Sequence, residues 1–223
     1  MTGEQLRLGV EWPRRRAFTR NAFIDAPSNA VARALVEDWR NWPNRQAAIS
    51  GPDGSGKTHL VQIWMAEAGA EKIAASQLHA GDAPGLVAVG AVAVDDADGI
   101  EAGGEASLFH LLNLARAEGA YVLLSGRRPP ARWRIALPDL ASRLGAFTHA
   151  AIEPPELDLI ERLIAKEFAD RHMRVPAEVA QFIAPRIEQS AAAALDAVTR
   201  LDAAVRDEKR TLTIRFVKET LAL

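Results

Sequence analysis

Short apolar runs alternate with amphipathic stretches along the first two thirds of the chain. "QAAIS" (46–50) is too short for a helix and runs straight into a glycine-rich segment. "KIAAS" (72–76), "AVAVDDAD" (91–98), "AYVLLSG" (120–126) and "HAAIEPP" (149–155) repeat that pattern, and each predicts a buried strand. Between them, "HLVQIWMAEAGA" (59–70), "ASLFHLLNLARAEG" (106–119) and "LPDLASRL" (137–144) predict helices, two of them stopped by Gly69 and Gly119. Ahead of the first strand, Val31, Leu35, Val36 and Trp39 recur at helical spacing in "APSNAVARALVEDWRNW" (26–42), with Ser28 or Asn29 as the cap. Strands alternating with helices predict an α/β fold, a parallel sheet flanked by helices.

The character changes at Pro154-Pro155, which can continue neither a helix nor a central strand. Beyond them "ELDLIERLIAKEFADRH", "PAEVAQFIAPRI", "SAAAALDAVTRLDAAVRD" and "TIRFVKETLAL" all read as helices. The expected organisation is a tail over 1–16, an α/β core over 17–155 and a small all-α lid over 156–223.

Composition narrows the class. Apolar residues make up 48% and charged residues 25% of the 223 positions, which suits a globular fold. The formal net charge of −2 gives no sign of a general DNA-binding surface, although "PRRRAFTR" (13–20) is locally basic. The absence of cysteine removes disulfides and thiolate metal sites and fits a reducing cytoplasm, the expected location. The five histidines are scattered without metal-ligand spacing. The N-terminus lacks the apolar stretch of a secretory signal, and the run "GLVAVGAVAV" (85–94) is too short to span a membrane.

The chemistry concentrates at "GPDGSGKT" (51–58), a full G-x-x-x-x-G-K-[ST] phosphate loop between a predicted strand and a predicted helix. Gly51, Gly54 and Gly56 let the backbone turn tightly and aim N–H groups at phosphate oxygens, with Pro52, Asp53 and Ser55 between them. Lys57 is placed for the β- and γ-phosphates, Thr58 for Mg²⁺, and His59 follows on the first helical turn. A phosphate loop needs an acid on a neighbouring strand to position the metal. "AVAVDDAD" offers Asp95 for the Mg²⁺ shell and Asp96 beside an attacking water; an exposed acidic turn is the plainer alternative.

The stretches "GPDGSGKTHL", "AVDDAD", "LLSGRRPP", "LPDLASRL" and "AIEPPELDLIERLIAKEFADRHMRVPAEVAQFIA", with "TLTIRFVKETL" near the end, resemble the DnaA branch of the AAA+ ATPases. Within that branch they are most similar to the short Hda-type regulators that inactivate the initiator DnaA. The resemblance runs from about residue 17 to 223. It implies a P-loop AAA+ core followed by a helical lid, binding ADP or ATP with Mg²⁺ and the adenine near Phe23 and Ile24. It implies that Arg143, in "SRL", is a finger supplied in trans to a neighbour's γ-phosphate. "QLRLGV" (5–10) is similar to the motif by which Hda-type proteins dock on the sliding clamp, the β subunit of DNA polymerase III. Gln5 would be the register-fixing amide, with Leu6, Leu8 and Val10 as apolar anchors and Gly9 in place of the usual proline. The implied partners are the clamp, DnaA and a further copy of the chain, with any DNA contact indirect or weak. DnaA's helix-turn-helix domain and its helical insertion after the second strand have no counterpart here, which speaks against origin recognition and filament formation.

Two sensing positions depart from the family pattern. Arg127 stands where an acid is expected after "SG", either contacting phosphate or lying outward. Alanines, Ala192 and Ala193, occupy the place of the lid arginine, with Arg186 and Arg200 as the nearest substitutes. An intact cradle with altered sensors suits a protein that holds nucleotide as a switch and turns it over slowly. Its activity would be stimulation of DnaA-bound ATP hydrolysis, preventing re-initiation. The rivals are an independent DnaA-like or helicase-loader ATPase, and a non-catalytic clamp–initiator adaptor.

Overall fold

The computed structural model describes residues 18–208 and 211–223. The clamp-docking residues Gln5, Leu6, Leu8 and Val10 lie outside the described residues. Five strands, β1 (Gln46–Ser50), β2 (Glu71–Ala74), β3 (Ala91–Asp95), β4 (Tyr121–Gly126) and β5 (Thr148–Ala151), form one sheet in the order β2-β3-β4-β1-β5. Every pairing is parallel. The connecting helices are α1 (Ala30–Glu37), α2 (Lys57–Ala68), α3 (Ala83–Ala88), α4 (Ala102–Glu118) and α5 (Pro138–Gly145).

Both faces of the sheet are covered at its centre, so the inner strands β1, β3 and β4 are largely apolar on both sides. Alternate residues of a strand point to opposite faces. Val92 and Val94 of β3 therefore pack with Leu108, Leu111 and Leu112 of α4 and Leu140 and Leu144 of α5. Ala91 and Ala93 join Leu60, Ile63 and Trp64 of α2 on the other face. Trp64 is fully buried there and stacks on Trp42 with ring centroids 5.4 Å apart.

The helices α6 (Leu157–Asp170), α7 (Ala177–Ile183), α8 (Ala191–Glu208) and α9 (Ile214–Leu221) enclose a separate core around Ile164, Phe168, Val198, Leu201 and Phe216. This is the small helical unit read from the sequence after Pro155.

Two segments differ from the sequence expectation. The helix expected over 26–42 begins behind its expected cap, Asn29, but ends early: α1 covers eight residues, and a 3₁₀ turn at Trp39–Asn41 follows. The Asn29 side chain accepts from the Ala26 N–H and donates to the Ile24 carbonyl, which holds the 3₁₀ turn Pro27–Asn29 ahead of the helix. Val31, counted on the apolar face, is 68% exposed, whereas Val36 and Trp39 are buried as expected and Ala32 joins them. No helix was expected between the second and third strands, yet the apolar run 85–94 holds the end of α3 as well as the start of β3, separated by Gly90 at φ 91°. Periodicity alone does not split so short an apolar stretch.

Candidate functional site

The phosphate loop hangs between β1 and α2. Gly54 (φ 72°) and Gly56 (φ 102°) occupy the left-handed region, where an L side chain is strained. A Cβ on Gly51 would lie 2.7 Å from the Ile152 carbonyl oxygen, so the start of the loop is closed to any side chain. Ser55 Oγ is buried without a hydrogen-bond partner among the described residues. The Lys57 side chain is buried and its ammonium donates to the carbonyls of Gly51 (2.8 Å) and Pro52 (2.9 Å). Burial pushes that ammonium below its usual pKa, and the charges of Asp53, Asp96, Asp98 and Asp95 partly offset the shift. Turned backbone, an orphaned hydroxyl, a buried cation and the N-terminus of a twelve-residue helix together fit a di- or triphosphate.

Strand order decides how the acids meet this loop. β4 lies between β1 and β3, so the loop and the acidic turn are two strand spacings apart, about 10 Å. Ser125, near the end of β4 and fully buried, fills the interval. Its hydroxyl donates to Asp95 Oδ1, and the Asp96 N–H donates to the same hydroxyl at 3.3 Å. Asp95 Oδ2 accepts from Lys72 of β2 at 3.1 Å. Burial would raise the Asp95 pKa, but the bonds from Ser125 and Lys72 outweigh it and hold the carboxyl below its ordinary value. Asp96 is exposed in the left-handed conformation (φ 52°). The residues expected to hold Mg²⁺ are Thr58, exposed on the first turn of α2, and Asp95, whose two oxygens accept from Ser125 and Lys72. Among the described residues no group of three or more His, Cys, Asp or Glu side chains is placed to hold a metal ion.

The flanking residues fall as follows. Phe23 lies over the loop, its ring carbon 3.6 Å from where a Gly56 Cβ would stand, and meets the His59 ring edge-on at 5.1 Å. Ile24 is adjacent, its carbonyl held by Asn29. Arg127 lies outward at the surface, paired with Asp53 of the loop at 3.0 Å. The start of α8 rests on the loop: the Ala191 N–H donates to the Gly54 carbonyl at 3.2 Å, and Ala192 packs against Gly54. Ala192 thus stands at the phosphate loop. Arg186 and Arg200 are engaged within the lid: Arg186 donates to the Phe182 carbonyl and covers that ring, and Arg200 donates to the Thr220 carbonyl.

Core and lid are tied near this site by contacts distant in sequence. Ser28 donates through both its N–H (2.7 Å) and its hydroxyl (2.8 Å) to Glu156, the residue that opens α6, and Arg162 donates to the Asp25 carbonyl.

Arg143 lies elsewhere. It lines a surface pocket of about 360 Å³ with Gln46, Asn44, Phe109 and Arg116. Gln46 begins β1, whereas the phosphate loop follows its last residue, Ser50, so the two sites are separated by about 13 Å of strand. The guanidinium sits 5.3 Å from the Phe109 ring centre, and among the described residues neither its Nη1 nor the buried Gln46 Nε2 has a hydrogen-bond partner. The lead-in to α5 is fixed by Glu105, only 4% exposed, which accepts from the Ala136 N–H (2.9 Å) and the Leu137 N–H (2.7 Å).

Residues 161–221 match the family model described as the Hda lid domain. The chain superposes on domain III of the Thermotoga maritima replication initiation protein DnaA with TM-score 0.80 at 20% identity, covering 95% of this chain and 98% of that one. The chain therefore has the fold of DnaA domain III, and its helical lid matches the Hda lid model. AMPPCP-bound DnaA from Aquifex aeolicus matches with TM-score 0.67 at 18% identity, over 87% of this chain and 70% of that one. A Thermotoga maritima RuvB mutant matches with TM-score 0.72 at 16% identity, over 93% and 73%. The α/β core and helical lid are the architecture expected from the sequence. No described helix is long and apolar enough to cross a membrane.

Sequence reasoning passed over Ser125, Lys72, Glu105 and the Ser28–Glu156 link. Ser125 was within reach, as a polar residue in the otherwise apolar "YVLLSG". The others carry no local signal, because each acts on a residue more than twenty positions away.

Proposed function

We propose that this chain is a nucleotide-holding regulator of replication initiation that stimulates hydrolysis of ATP bound to DnaA. One observation carries the reading: Arg143 sits at the far end of the sheet from the chain's own phosphate loop, in a pocket, with an Nη1 that has no partner among the described residues. An arginine so placed serves a phosphate brought by another subunit. Its guanidinium stays charged and offers forked donors that match phosphate oxygens. The loop, Lys57 and the docked lid hold the chain's own nucleotide, ADP in this reading. Thr58 and Asp95 would hold the Mg²⁺, which when bound screens phosphate charge. Phe23 and Ile24 border the base, and Asp96 would orient water in a slow intrinsic turnover. Arg127 and Ala192 stand where stronger nucleotide sensors would be, which supports slow turnover. The tail residues Gln5, Leu6, Leu8 and Val10 dock the chain on the sliding clamp. Tethering there raises its effective concentration near DnaA.

The test is hydrolysis of DnaA-bound ATP with DNA-loaded clamp. The unmodified chain should accelerate it. Arg143→Ala should remove nearly all of that acceleration, since such a finger supplies roughly 10³–10⁵ in rate. Gln5→Ala with Leu8→Ala should abolish docking on the clamp and most of the effect. Equal activity of the wild type and Arg143→Ala would leave the adaptor reading in its place.

A further inference from the structure

We propose that Lys72 is a built-in counter-ion for Asp95 that lets this chain hold a nucleoside diphosphate without a divalent cation. The inference rests on the nucleotide-binding reading above and extends it to the charge balance of the site.

A phosphate loop must compensate the charge of its ligand, and Mg²⁺ held by a hydroxyl and a strand-end carboxylate ordinarily contributes. Here that carboxylate is engaged on both oxygens. Ser125 from β4 donates to Oδ1, and Lys72 from β2 donates to Oδ2 at 3.1 Å. The register explains the reach. Ala74 lies opposite Asp95 and Lys72 opposite Ala93, so Lys72 and Asp95 point to the same face of adjacent parallel strands. A lysine on an edge strand is ordinarily a guard against strand pairing, extended into water. Lys72 instead folds onto a carboxylate that is only 13% exposed, where its charge is less screened than at an open surface.

The rest of the charge follows the same logic. Asp53, the acid within the loop, is paired with Arg127 at 3.0 Å. Two of the acids that bear on Lys57 therefore each carry their own protein cation. For Mg²⁺ to use Asp95 it must share the carboxylate with an ammonium already bonded to it, and the two cations repel. With Lys72 in place the acid no longer repels the phosphates, which is one of the two things a metal does there. The other, orienting water for hydrolysis, has no substitute in Lys72, so holding without cutting is the expected behaviour.

The experiment is titration of the full chain with a fluorescent ADP analogue, once in Mg²⁺ and once in EDTA, using the wild type, Lys72→Met, Lys72→Arg and Lys57→Ala. Lys72→Met keeps the apolar stem at a half-exposed edge position and removes only the charge. The wild type should bind within about threefold in the two buffers, while Lys72→Met should lose about tenfold or more in EDTA and little in Mg²⁺. Lys72→Arg should restore the metal-independent affinity, and Lys57→Ala should weaken binding in both buffers. A wild type whose affinity collapses in EDTA, or a Lys72→Met variant as metal-independent as the wild type, overturns the inference and leaves nucleotide binding standing. A wild type that binds in neither buffer overturns the nucleotide reading itself and this inference with it.

Discussion

Replacing Gly54 by alanine should unseat the lid from the phosphate loop, and its size can be worked from the structure against an internal control. Gly54 has φ 72°, and a Cβ there would stand 3.1 Å from both the Ala192 Cβ and the Ala192 nitrogen. Gly69 has a similar φ of 65° with nothing within 4 Å of its added Cβ. Both substitutions carry the left-handed backbone cost, about 1–2 kcal/mol. Only Gly54→Ala also pushes α8 away and weakens the bond from the Ala191 N–H to the Gly54 carbonyl, about 0.5–1.5 kcal/mol. Gly69→Ala should therefore lower Tm by about 2–8 °C, and Gly54→Ala by several degrees more. Hydrogen exchange at Ala191 should accelerate in Gly54→Ala and stay unchanged in Gly69→Ala. Equal Tm losses together with an unchanged Ala191 exchange rate in Gly54→Ala would refute the claim that the lid rests on the loop.

Glu105→Ala should destabilise the chain by about 2–3 kcal/mol in urea unfolding, because the Ala136 and Leu137 amides lose a charged acceptor. It should also weaken stimulation of DnaA, since those amides set the entry to the helix that carries Arg143. His149 lies within hydrogen-bond distance of Ser50 Oγ, at 2.9 Å, and burial depresses its pKa. Its unfolded form, titrating near the usual ~6.5, then binds more protons than the folded form once the pH falls to that value. Stability should accordingly fall as the pH drops through the unfolded pKa toward the lower folded one. The urea midpoint should decrease between about pH 7.5 and 5.5, and decrease less in His149→Asn, where no proton is taken up.

Elements that rest on local physics were legible in the sequence. β1 was legible to the residue, because "QAAIS" is a short apolar run ending at a loop that only glycines can turn. The other strands and most helices were placed within a few residues, since strand and helix periods differ and Gly69 and Gly119 mark where two helices stop. The phosphate loop and the acids at the end of β3 were legible for the same reason: their chemistry needs fixed residue types at fixed spacing.

Tertiary structure alone decided what those parts touch. Placing β4 between β1 and β3 put Ser125, not another loop residue, against Asp95. Pairing β2 with β3 in one register delivered Lys72 to the same carboxylate; a slip of one residue would have turned it to the other face. The fold of the lid brought Ala192 onto Gly54 and left Arg186 and Arg200 bound elsewhere. It also set Arg143 at the opposite end of the sheet from Lys57. Periodicity reports which face of an element is apolar, but partners across a sheet or between domains are chosen by strand order, register and packing, which no window of neighbouring residues contains.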